Sequence, residues 1–396
     1  MQNHQKKQRR TLKKPIAITM AALIIIIIAL AVTAIISPKV AENPTDAPQT
    51  AQAEPTPTEI SILAVGDNLI HGPIYRQAKA RGNGAYDFSF AYEQIVPYLA
   101  DYDFKLINQE TPLGGEELGL SSYPLFNSPT QLGDYLVSVG FNLVSHANNH
   151  VLDAGEHGLA NTINYWKNQT SVTMAGVYAN SEEAANLQIV EKDGVKIAFL
   201  AYTYGTNGLS LPADAPEVIN YIDKEKMQSQ IAQAEAVADI TLVMMHWGVE
   251  YQPQSNAEQQ ELAQMMANAD VDIIIGSHPH VIQEVTTLEQ PDGGKCVCFY
   301  SLGNFISAQD KPATMLGGMA SVKLNYHKDT KQINYENIEF IPIVNQFNNG
   351  YTNIHIIPLA KYTDEDAAAH GVSGVSCEYF QNLLNNTVSR EFISVR

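Results

Sequence analysis

The stretch VDIIIGSHPHVIQ, residues 271–283, places two histidines directly after a strand-like apolar run. Residues 272–276 (DIIIG) form a short continuous apolar segment, which is typical of a strand covered on both faces. His278 and His280 then follow two positions apart. Taken alone, this stretch has two interpretations: a tight turn behind a core strand, or a strand end that delivers two metal ligands. The rest of the chain decides between them.

Five further short apolar runs share the strand pattern. They are EISILAV at 59–65, FKLI at 104–107, FNLVS at 141–145, KIAFLAY at 196–202 and ITLVMM at 240–245. Between them, residues 155–169 and 255–270 space their apolar side chains three and four apart, as helices do. Ser255 and Glu258 have the spacing of a capping box at the start of the second helix. This alternation predicts an α/β domain whose central strands are covered on both sides.

The pattern changes after residue 295, where apolar and polar residues begin to alternate. KCVCFYSLGNFI (295–306), MASVKLNYH (319–327) and KQINYENIEFIPI (331–343) all have this period of two. Residues 328–330 form a short polar connection between the last two runs, which predicts a hairpin. An antiparallel sheet is therefore expected to follow the alternating part, giving an α/β (α+β) fold.

Three cysteines occur in this second part of the chain, at Cys296, Cys298 and Cys377. Alternate positions on a strand place the first two side chains on one face, where a direct disulfide between them is strained. Buried free thiols are the simplest interpretation. A bridge from Cys377 to one of the pair is the alternative.

The N-terminal part of the chain differs from everything after it. Residues 1–15 are basic and carry no acid, and residues 16–37 are uncharged and apolar. The apolar segment is long enough to span a bilayer and longer than the core of a cleaved signal peptide. We predict a signal anchor with a cytoplasmic N-terminus, so that the main domain is outside the cell. Residues 38–58 predict a disordered Pro/Thr/Ala linker, followed by a domain at 59–310 that a hairpin and tail at 311–396 complete.

The charge balance excludes one broad class of partner. The chain has 24 Lys and Arg against 42 Asp and Glu, a net charge of −18. Residues 1–15 hold six of the Lys and Arg and none of the acids, so the predicted external part has 18 against 42, a net charge of −24, and should repel nucleic acid. We therefore expect no nucleic-acid partner.

Side chains that bind metals follow five of the six predicted strands. Carboxyl ends of strands in α/β sheets form the ligand-binding edge, so these side chains are expected to converge. Several imidazoles with carboxylate and amide oxygens, and no nearby thiolate, favour Mn, Fe or Zn over Ca or Mg. The number of candidates suits two divalent metal ions, a centre that activates water and assists displacement at phosphorus. The candidates are Asp67, His71, Glu110, His146, Asn148, Asn149, His150, Asp153, His246, Glu250, His278 and His280.

Each candidate also has a structural interpretation when it is considered alone. An aspartate after a strand, such as Asp67, commonly forms a turn or caps a helix. A single histidine such as His71 or His246 is commonly a partly buried, hydrogen-bonded side chain. The combination is what indicates a metal site. Four other histidines lack this context and are predicted at the surface: His157, His327, His355 and His370.

Six motifs, in order, resemble the CapA/PgsA capsule-synthesis family. They are AVGDNLIH, INQETPL, SHANNHVLDAG, HWGVEY, GSHPHVIQ and YSLGNFI, and they cover about residues 60–310. That family is linked to poly-γ-glutamate production and belongs to the calcineurin-like metallophosphoesterase superfamily. The resemblance implies two packed mixed β-sheets flanked by helices. It also implies a membrane-anchored extracellular protein of capsule biosynthesis with a metal-dependent, hydrolase-type site.

The resemblance implies a role for individual residues. Asp67 is similar to the first metal-binding aspartate, and Glu110 stands where an aspartate bridges the two metals. His150 corresponds to the histidine near the leaving group, a general acid, so that Asp67 and His150 are the catalytic candidates. His278 and His280 would serve one metal each. The implied ligands are Asp67, Glu110, Asn149, His246, His278 and His280.

Two positions depart from the superfamily pattern. Leu69 occupies the place of the histidine in the D-x-H motif, and His71 and His146 are the candidate replacements. Glu110 adds one methylene to the bridging position. Three further residues are candidates for orienting the ligands from behind; these are Asp153, Glu250 and Asn304.

Two other functions remain open from the sequence. One is a non-catalytic surface subunit that binds or guides an anionic polymer for a membrane synthase, with a bound divalent metal as the positive site. The other is an extracellular nucleotidase-like phosphoesterase. The expected partners are the membrane, the synthase subunits and the polymer.

Overall fold

The computed structural model describes residues 56–394. The predicted basic tail, the signal anchor at 16–37 and nearly all of the linker at 38–58 lie outside the described residues. Within the described part of the chain, no helix combines the length and the apolar character that crossing a bilayer requires.

The strands that the sequence predicts are all present, together with others in the connections. In chain order they are β1 Thr58–Asn68, β2 Phe104–Gln109, β3 Leu143–Ser145, β4 Thr173–Ala175, β5 Val177–Tyr178, β6 Gln188–Lys192, β7 Val195–Thr203, β8 Val218–Ile219, β9 Ile240–His246, β10 Ile273–Ser277, β11 Val285–Glu289, β12 Lys295–Phe299, β13 Asn304–Ile306, β14 Leu316–His327, β15 Gln332–Asn348 and β16 Thr352–Pro358.

The helices lie mostly between these strands, as the alternation predicts. They are α1 Gly72–Arg81, α2 Ser89–Tyr92, α3 Val96–Leu99, α4 Gln131–Ser138, α5 Gly155–Lys167, α6 Ser181–Ala184, α7 Lys224–Val237, α8 Ala257–Ala267, α9 Asp364–Ala369 and α10 Cys377–Thr387.

The strands form two large mixed sheets and one small one. The first sheet has the order β16-β15-β14-β1-β2-β3-β4, with β13 paired to β1. The second has the order β11-β12-β10-β9-β7-β6, and β5 pairs with β8 in a two-stranded sheet. The predicted hairpin is confirmed, because β14 and β15 pair in antiparallel register from His327 and Gln332 onward. The chain thus has the mixed α/β fold that the sequence predicts.

Side-chain alternation in the second sheet explains how the layers pack. Phe199, Leu242 and Ile275 belong to the large core that also contains the apolar side chains of the first sheet. Their neighbours Val243 and Ile274 belong to a separate core with α7 and α8. Burying each such side chain contributes about 1.5–3 kcal/mol. The central strands are therefore covered on both faces, as predicted, and their ends are held in fixed positions.

One part of the fold differs from the prediction. Strand β12 pairs in parallel with β10 as well as antiparallel with β11, and β13 pairs in parallel with β1. The expectation of a purely antiparallel sheet after residue 295 is therefore wrong for the segment 295–306. The reason is burial: Val297 and Phe299 join one core while Cys296 and Cys298 join the other, so both faces are covered.

The capping box of α8 lies one residue later than predicted. Asn256 and Gln259, not Ser255 and Glu258, form the reciprocal pair, at 2.8 Å and 3.0 Å. The hydroxyl of Ser255 instead donates to Glu284. The Nε2 of the buried Gln259 also donates to Gln283 Oε1 at 2.9 Å, and this contact fixes the start of the helix.

The cysteines are free thiols, in agreement with the simpler interpretation. Cys296 and Cys298 are buried against the α7–α8 side, and burial raises the pKa of both thiols. Cys377 begins α10 and forms no bridge to the pair. His370 differs from its predicted surface position: it is buried, and its Nε2 lies 2.9 Å from the carbonyl oxygen of Asn345.

Candidate metal centre

The carboxyl ends of strands from both sheets meet at one place. Strand β1 lies in parallel register with β2, and β9 with β10, so each pair ends at the same edge. Seven predicted site residues, the six implied ligands and the candidate general acid His150, are nearly inaccessible to solvent, with none more than 5% exposed. They are Asp67, Glu110, Asn149, His150, His246, His278 and His280.

Glu110, His278 and His280 form a group that could hold a metal ion. One ligand atom from each lies within 4.8 Å of the others. Both carboxylate oxygens of Glu110 and the Nδ1 of His278 are buried without a hydrogen-bond partner among the described residues. Leaving buried polar atoms unpartnered costs free energy, and this donor set of carboxylate and imidazoles fits a divalent cation. Burial, followed by the charge of Asp67, raises the pKa of Glu110 well above its ordinary value.

Asp67 holds His280 in a ligand orientation. The Nδ1 of His280 lies 2.9 Å from Asp67 Oδ2, and its Nε2 lies 3.8 Å from Glu110 Oε1. A carboxylate behind an imidazole fixes the tautomer and the direction of the other nitrogen. Burial lowers the pKa of His280, but the charge of Glu110 and the bond to Asp67 outweigh it and raise that pKa to about 9. Through this hydrogen bond, the Asp67 carboxylate contacts the group of Glu110, His278 and His280 at the His280 ring.

The turn that carries the two histidines is strained. His278 has φ +96° and His280 has φ +57°, the left-handed region that non-glycine residues rarely adopt. The His278 N–H lies 3.3 Å from each carboxylate oxygen of Asp67, and the Tyr251 N–H donates to the Pro279 carbonyl at 2.8 Å. Strain of this kind persists only where surrounding contacts determine the conformation, and it concentrates at functional sites.

His246 and Asn149 form a second group beside Glu110. The His246 Nδ1 lies 3.0 Å from Ser277 Oγ and 3.4 Å from Asn108 Nδ2. Its Nε2 lies 2.9 Å from Asn149 Oδ1 and 3.7 Å from Glu110 Oε1. Burial lowers the pKa of His246 well below its usual value, which favours the neutral, ligating form. With Nε2 unprotonated, the imidazole and the amide oxygen can both ligate a cation.

His150 lines a cavity of about 380 Å³ next to these groups. Its Nδ1 lies 2.6 Å from Asp153 Oδ2, which also accepts the Phe126 N–H at 2.8 Å. This contact leaves Nε2 as the nitrogen available to a molecule in the cavity. The same cavity is also lined by Leu69, His71, Tyr123, Glu250, Tyr251, His280 and Lys311.

The two candidate replacements for the missing histidine lie in different places. His71 lines the cavity, with its Nδ1 3.1 Å from the Leu69 carbonyl oxygen, and burial lowers its pKa to about 4. His146 lies against α5, where its Nε2 accepts from Trp166 Nε1 at 2.7 Å, and burial lowers its pKa to about 3. His71 is therefore the one of the two that borders the cavity. Leu69 also borders it and is 2% exposed.

The three residues predicted to orient ligands have different surroundings. Asp153 contacts His150 directly. Glu250 is exposed at the edge of the cavity. Asn304 pairs with Asp67 through the backbone, and its Nδ2 donates to Gln309 Oε1 at 2.9 Å.

The sequence did not single out three other residues that reach the site. Asn108 Nδ2 donates to Asp67 Oδ1 at 2.8 Å, and Asn108 is the register partner of Asp67. Tyr204 and Asn207 follow β7, the one predicted strand whose end was assigned no ligand. The Tyr204 ring lies 4.5 Å from the ring of His278. Their position after a parallel strand was the sequence feature that could have identified Tyr204 and Asn207. Their residue types gave no signal, because tyrosine and asparagine are not distinctive metal ligands.

Comparison with known proteins gives one family match. Residues 61–309 match the model of the family described as bacterial capsule synthesis protein PGA_cap. The PGA biosynthesis protein CapA of Bacillus subtilis (strain 168) is 33% identical over 175 residues, which is 44% of each chain. The capsule biosynthesis protein CapA of Bacillus anthracis is 28% identical over 262 residues, 63% of this chain and 60% of the relative. The chain thus matches about half the length of these relatives.

Solved structures of phosphoesterases align loosely with the chain. Haemophilus influenzae NAD nucleotidase has a TM-score of 0.45 at 14% identity, covering 86% of this chain and 57% of its own. The calcineurin-like phosphoesterase YfkN of Bacillus subtilis has a TM-score of 0.40 at 14% identity, covering 84% and 97%. At these scores the likeness adds nothing to the family match.

Proposed function

The chain belongs to the bacterial capsule synthesis protein family. From this premise we propose that it acts in capsule or poly-γ-glutamate biosynthesis and carries a divalent-metal-dependent, hydrolase-type site. The observation that carries the proposal is the group of buried acceptors at the strand ends. Glu110 and His278 keep ligand atoms there that have no partner among the described residues. The His246–Asn149 pair lies next to them, with His246 Nε2 3.7 Å from Glu110 Oε1. A fold retains such costly groups where a cation or substrate satisfies them.

The side chains around the site have separable roles in this proposal. Glu110, His278 and His280 would hold one metal ion, and His246 with Asn149 would provide ligands for a second. Mn, Fe or Zn suits these nitrogen and oxygen donors. A bound metal supplies Lewis-acid polarisation and an activated water.

His150 is the candidate general acid. Because its Nδ1 is bound to Asp153 at 2.6 Å, a proton carried on Nε2 points to the cavity side of the ring. That proton can pass to the leaving group of a bound ester or amide. Asp153 fixes the ring in the tautomer that this transfer needs, since it also anchors the Phe126 N–H.

The proposed location is the outer face of the cell membrane. The support is the basic segment at residues 1–15 followed by the apolar segment at 16–37. The partners would be the membrane-bound synthase subunits and a polymer such as poly-γ-glutamate. Protease added to intact cells should digest the domain while the basic tail stays protected; a domain protected until the cells are lysed would contradict this location.

Turnover by the purified full-length chain tests the function. Phosphodiester hydrolysis and shortening of poly-γ-glutamate should be measured with Mn²⁺, with Zn²⁺ and after chelation. We expect metal-dependent turnover of one substrate that His150→Gln lowers by about 10²–10⁴-fold, as loss of a general acid does. His157→Gln, at an exposed position, is the matched control. Equal turnover by wild type and His150→Gln would contradict the assignment.

A second function is favoured by the buried Leu69. The side chain at the position of the missing histidine is apolar and 2% exposed, which suits a chain that binds a polymer without cleaving it. This alternative predicts metal-dependent binding of poly-γ-glutamate with no change in polymer length. Under the catalytic proposal, Leu69→His should raise the number of bound metal ions per chain and the rate of turnover. A metal-binding Leu69→His variant that still cleaves nothing would favour the non-catalytic subunit.

A further inference from the structure

The segment that follows β7, residues 204–209, forms one wall of the candidate site. The Tyr204 N–H donates to the His246 carbonyl at 3.0 Å, which holds the segment to the end of β9. The ring of Tyr204 lies 4.5 Å from that of His278 and is stacked at 6.2 Å on that of His246. The side chain is nevertheless 46% exposed. Tyr204 therefore lies between the candidate ligands and solvent.

This segment also binds the side-chain amide of Asn149. The Asn149 Nδ2 donates to Asn207 Oδ1 at 3.2 Å. An asparagine amide has two N–H donors on one side and one oxygen on the other. Because the segment takes the N–H side, the oxygen faces His246 Nε2 at 2.9 Å.

We propose that Asn207 is a positioning residue that fixes the Asn149 amide with its oxygen directed at His246. Rotation of the amide by half a turn would present N–H donors to the same place, and N–H groups cannot ligate a cation. The segment thus selects the one orientation in which Asn149 serves as a ligand. This inference rests on the proposed metal site and adds a residue that acts on it through Asn149.

The backbone of the segment does not depend on the Asn207 side chain. Asn207 has φ +50°, a conformation that glycine, asparagine and aspartate adopt most readily. Thr206 Oγ1 donates to the Leu209 carbonyl at 2.6 Å, and Thr203 Oγ1 donates to the Gly205 carbonyl at 3.0 Å. Asn207→Gly should therefore remove the acceptor while the segment keeps its shape. Asn207→Asp keeps an acceptor oxygen at the same position.

Cobalt titration of the full-length chain tests the inference, with visible absorption as the readout of ligand geometry. We expect Asn207→Gly to weaken Co²⁺ binding by about 10–100-fold, the usual effect of losing a partner that orients a ligand, and to change the absorption bands. Asn207→Asp should restore both to near wild type. Tyr204→Phe, which keeps the ring contacts with His246 and His278 and loses the hydroxyl, should bind Co²⁺ like wild type. Asn353→Gly is the matched control, because Asn353 also has positive φ and is exposed, near the start of β16.

The outcomes separate this inference from the proposed function. A wild-type chain that takes up no Co²⁺ would overturn both. A wild-type chain that binds Co²⁺, with Asn207→Gly indistinguishable from Asn353→Gly, would overturn the positioning role alone. So would an Asn207→Asp variant as weak as Asn207→Gly. The melting temperatures of the metal-free Asn207→Gly and Asn353→Gly variants should agree, which shows that any loss of binding is local.

Discussion

A buried carboxylate lies near each end of the second sheet, and the two differ in their partners. At the amino end, Asp272 Oδ2 accepts the Thr241 N–H at 2.8 Å, and Tyr335 donates to the Asp272 carbonyl at 3.0 Å. At the carboxyl end, both oxygens of Glu110 lack a hydrogen-bond partner among the described residues. The amino end also has the larger cavity, about 490 Å³ against about 380 Å³.

The comparison teaches which features mark a site in this molecule. Acidic side chains and cavity size favour the amino end, which is also lined by Glu235, Asp239 and Asp270. The lack of hydrogen-bond partners for buried ligand atoms favours the carboxyl end. A carboxylate bonded to backbone N–H groups ties strands together and needs no further partner. A carboxylate left among imidazoles is poised to bind a cation.

Glu110→Gln should have the largest effect. The substitution keeps the shape and removes the anionic ligand, so we expect Mn²⁺ or Zn²⁺ affinity to fall by more than ~100-fold, beyond the loss typical of a supporting residue. Stability of the metal-free chain should not fall, because an unpartnered acid has been replaced by a neutral amide. Calorimetric titration and urea unfolding measure the two quantities. A marked loss of stability would place Glu110 with Asp272 as a structural carboxylate.

Asp67→Asn should have the next largest effect on metal affinity. The variant loses the charge that orients His280, whose Nδ1 lies 2.9 Å from Asp67 Oδ2. We expect a loss of about 10–100-fold in the same titration. The pKa of His280 should also fall from its raised value, which NMR titration of the metal-free chain measures. Unchanged affinity together with an unchanged His280 pKa would contradict the orienting role.

Asp272→Ala should show the opposite pattern at the other end of the sheet. Removing the carboxylate leaves the buried Thr241 N–H without its 2.8 Å acceptor, which costs about 1–3 kcal/mol. Metal affinity should be unchanged, since the site lies at the other end of the strands. Urea unfolding and calorimetric titration check both expectations. If the substitution reduces the free energy of metal binding more than the free energy of unfolding, Asp272 is not a purely structural carboxylate and the contrast with Glu110 is wrong.

Acid sensitivity should be reduced by a substitution outside the metal centre. Burial lowers the pKa of His146 to about 3, so the unfolded chain takes up this proton below pH 6.5 while the folded chain does not. The stability that this histidine contributes is present above pH 6.5 and is lost as pH falls toward 3, at up to ~1.4 kcal/mol per pH unit. His146→Gln should flatten the decline of unfolding free energy between pH 6.5 and 4.5. The exposed His157→Gln should leave the slope unchanged; an unaltered slope in both variants would contradict the assignment.

The sequence predicts the central strands well because their apolar runs are continuous. The prediction of antiparallel pairing fails for β12. The segment around Cys296, Val297 and Cys298 resembles an alternating strand with one exposed face, and only the structure shows that both of its faces are buried. The start of α8 is misplaced by one residue because Ser255 and Asn256 are both good caps, and only the tertiary contact of Gln259 decides between them.

The candidate site is predictable where a residue type is distinctive for metal binding. His278, His280 and Glu110 come together as their positions after parallel strands suggest. The position of His146 against Trp166 could not be read from the sequence, because it depends on the packing of α5. Asn207 was missed for a similar reason: its role comes from a contact with Asn149 across a sequence separation of 58 residues.

The central claim is that the strand-end cluster binds divalent metal, and metal content measures it most directly. The full-length chain and its Glu110→Gln and Asp272→Ala variants should be equilibrated with Mn²⁺ or Zn²⁺, passed through a desalting column and analysed for metal per chain. We expect at least one ion in wild type and Asp272→Ala, and a clear loss in Glu110→Gln. Equal metal content in wild type and Glu110→Gln, or none in either, would contradict the account.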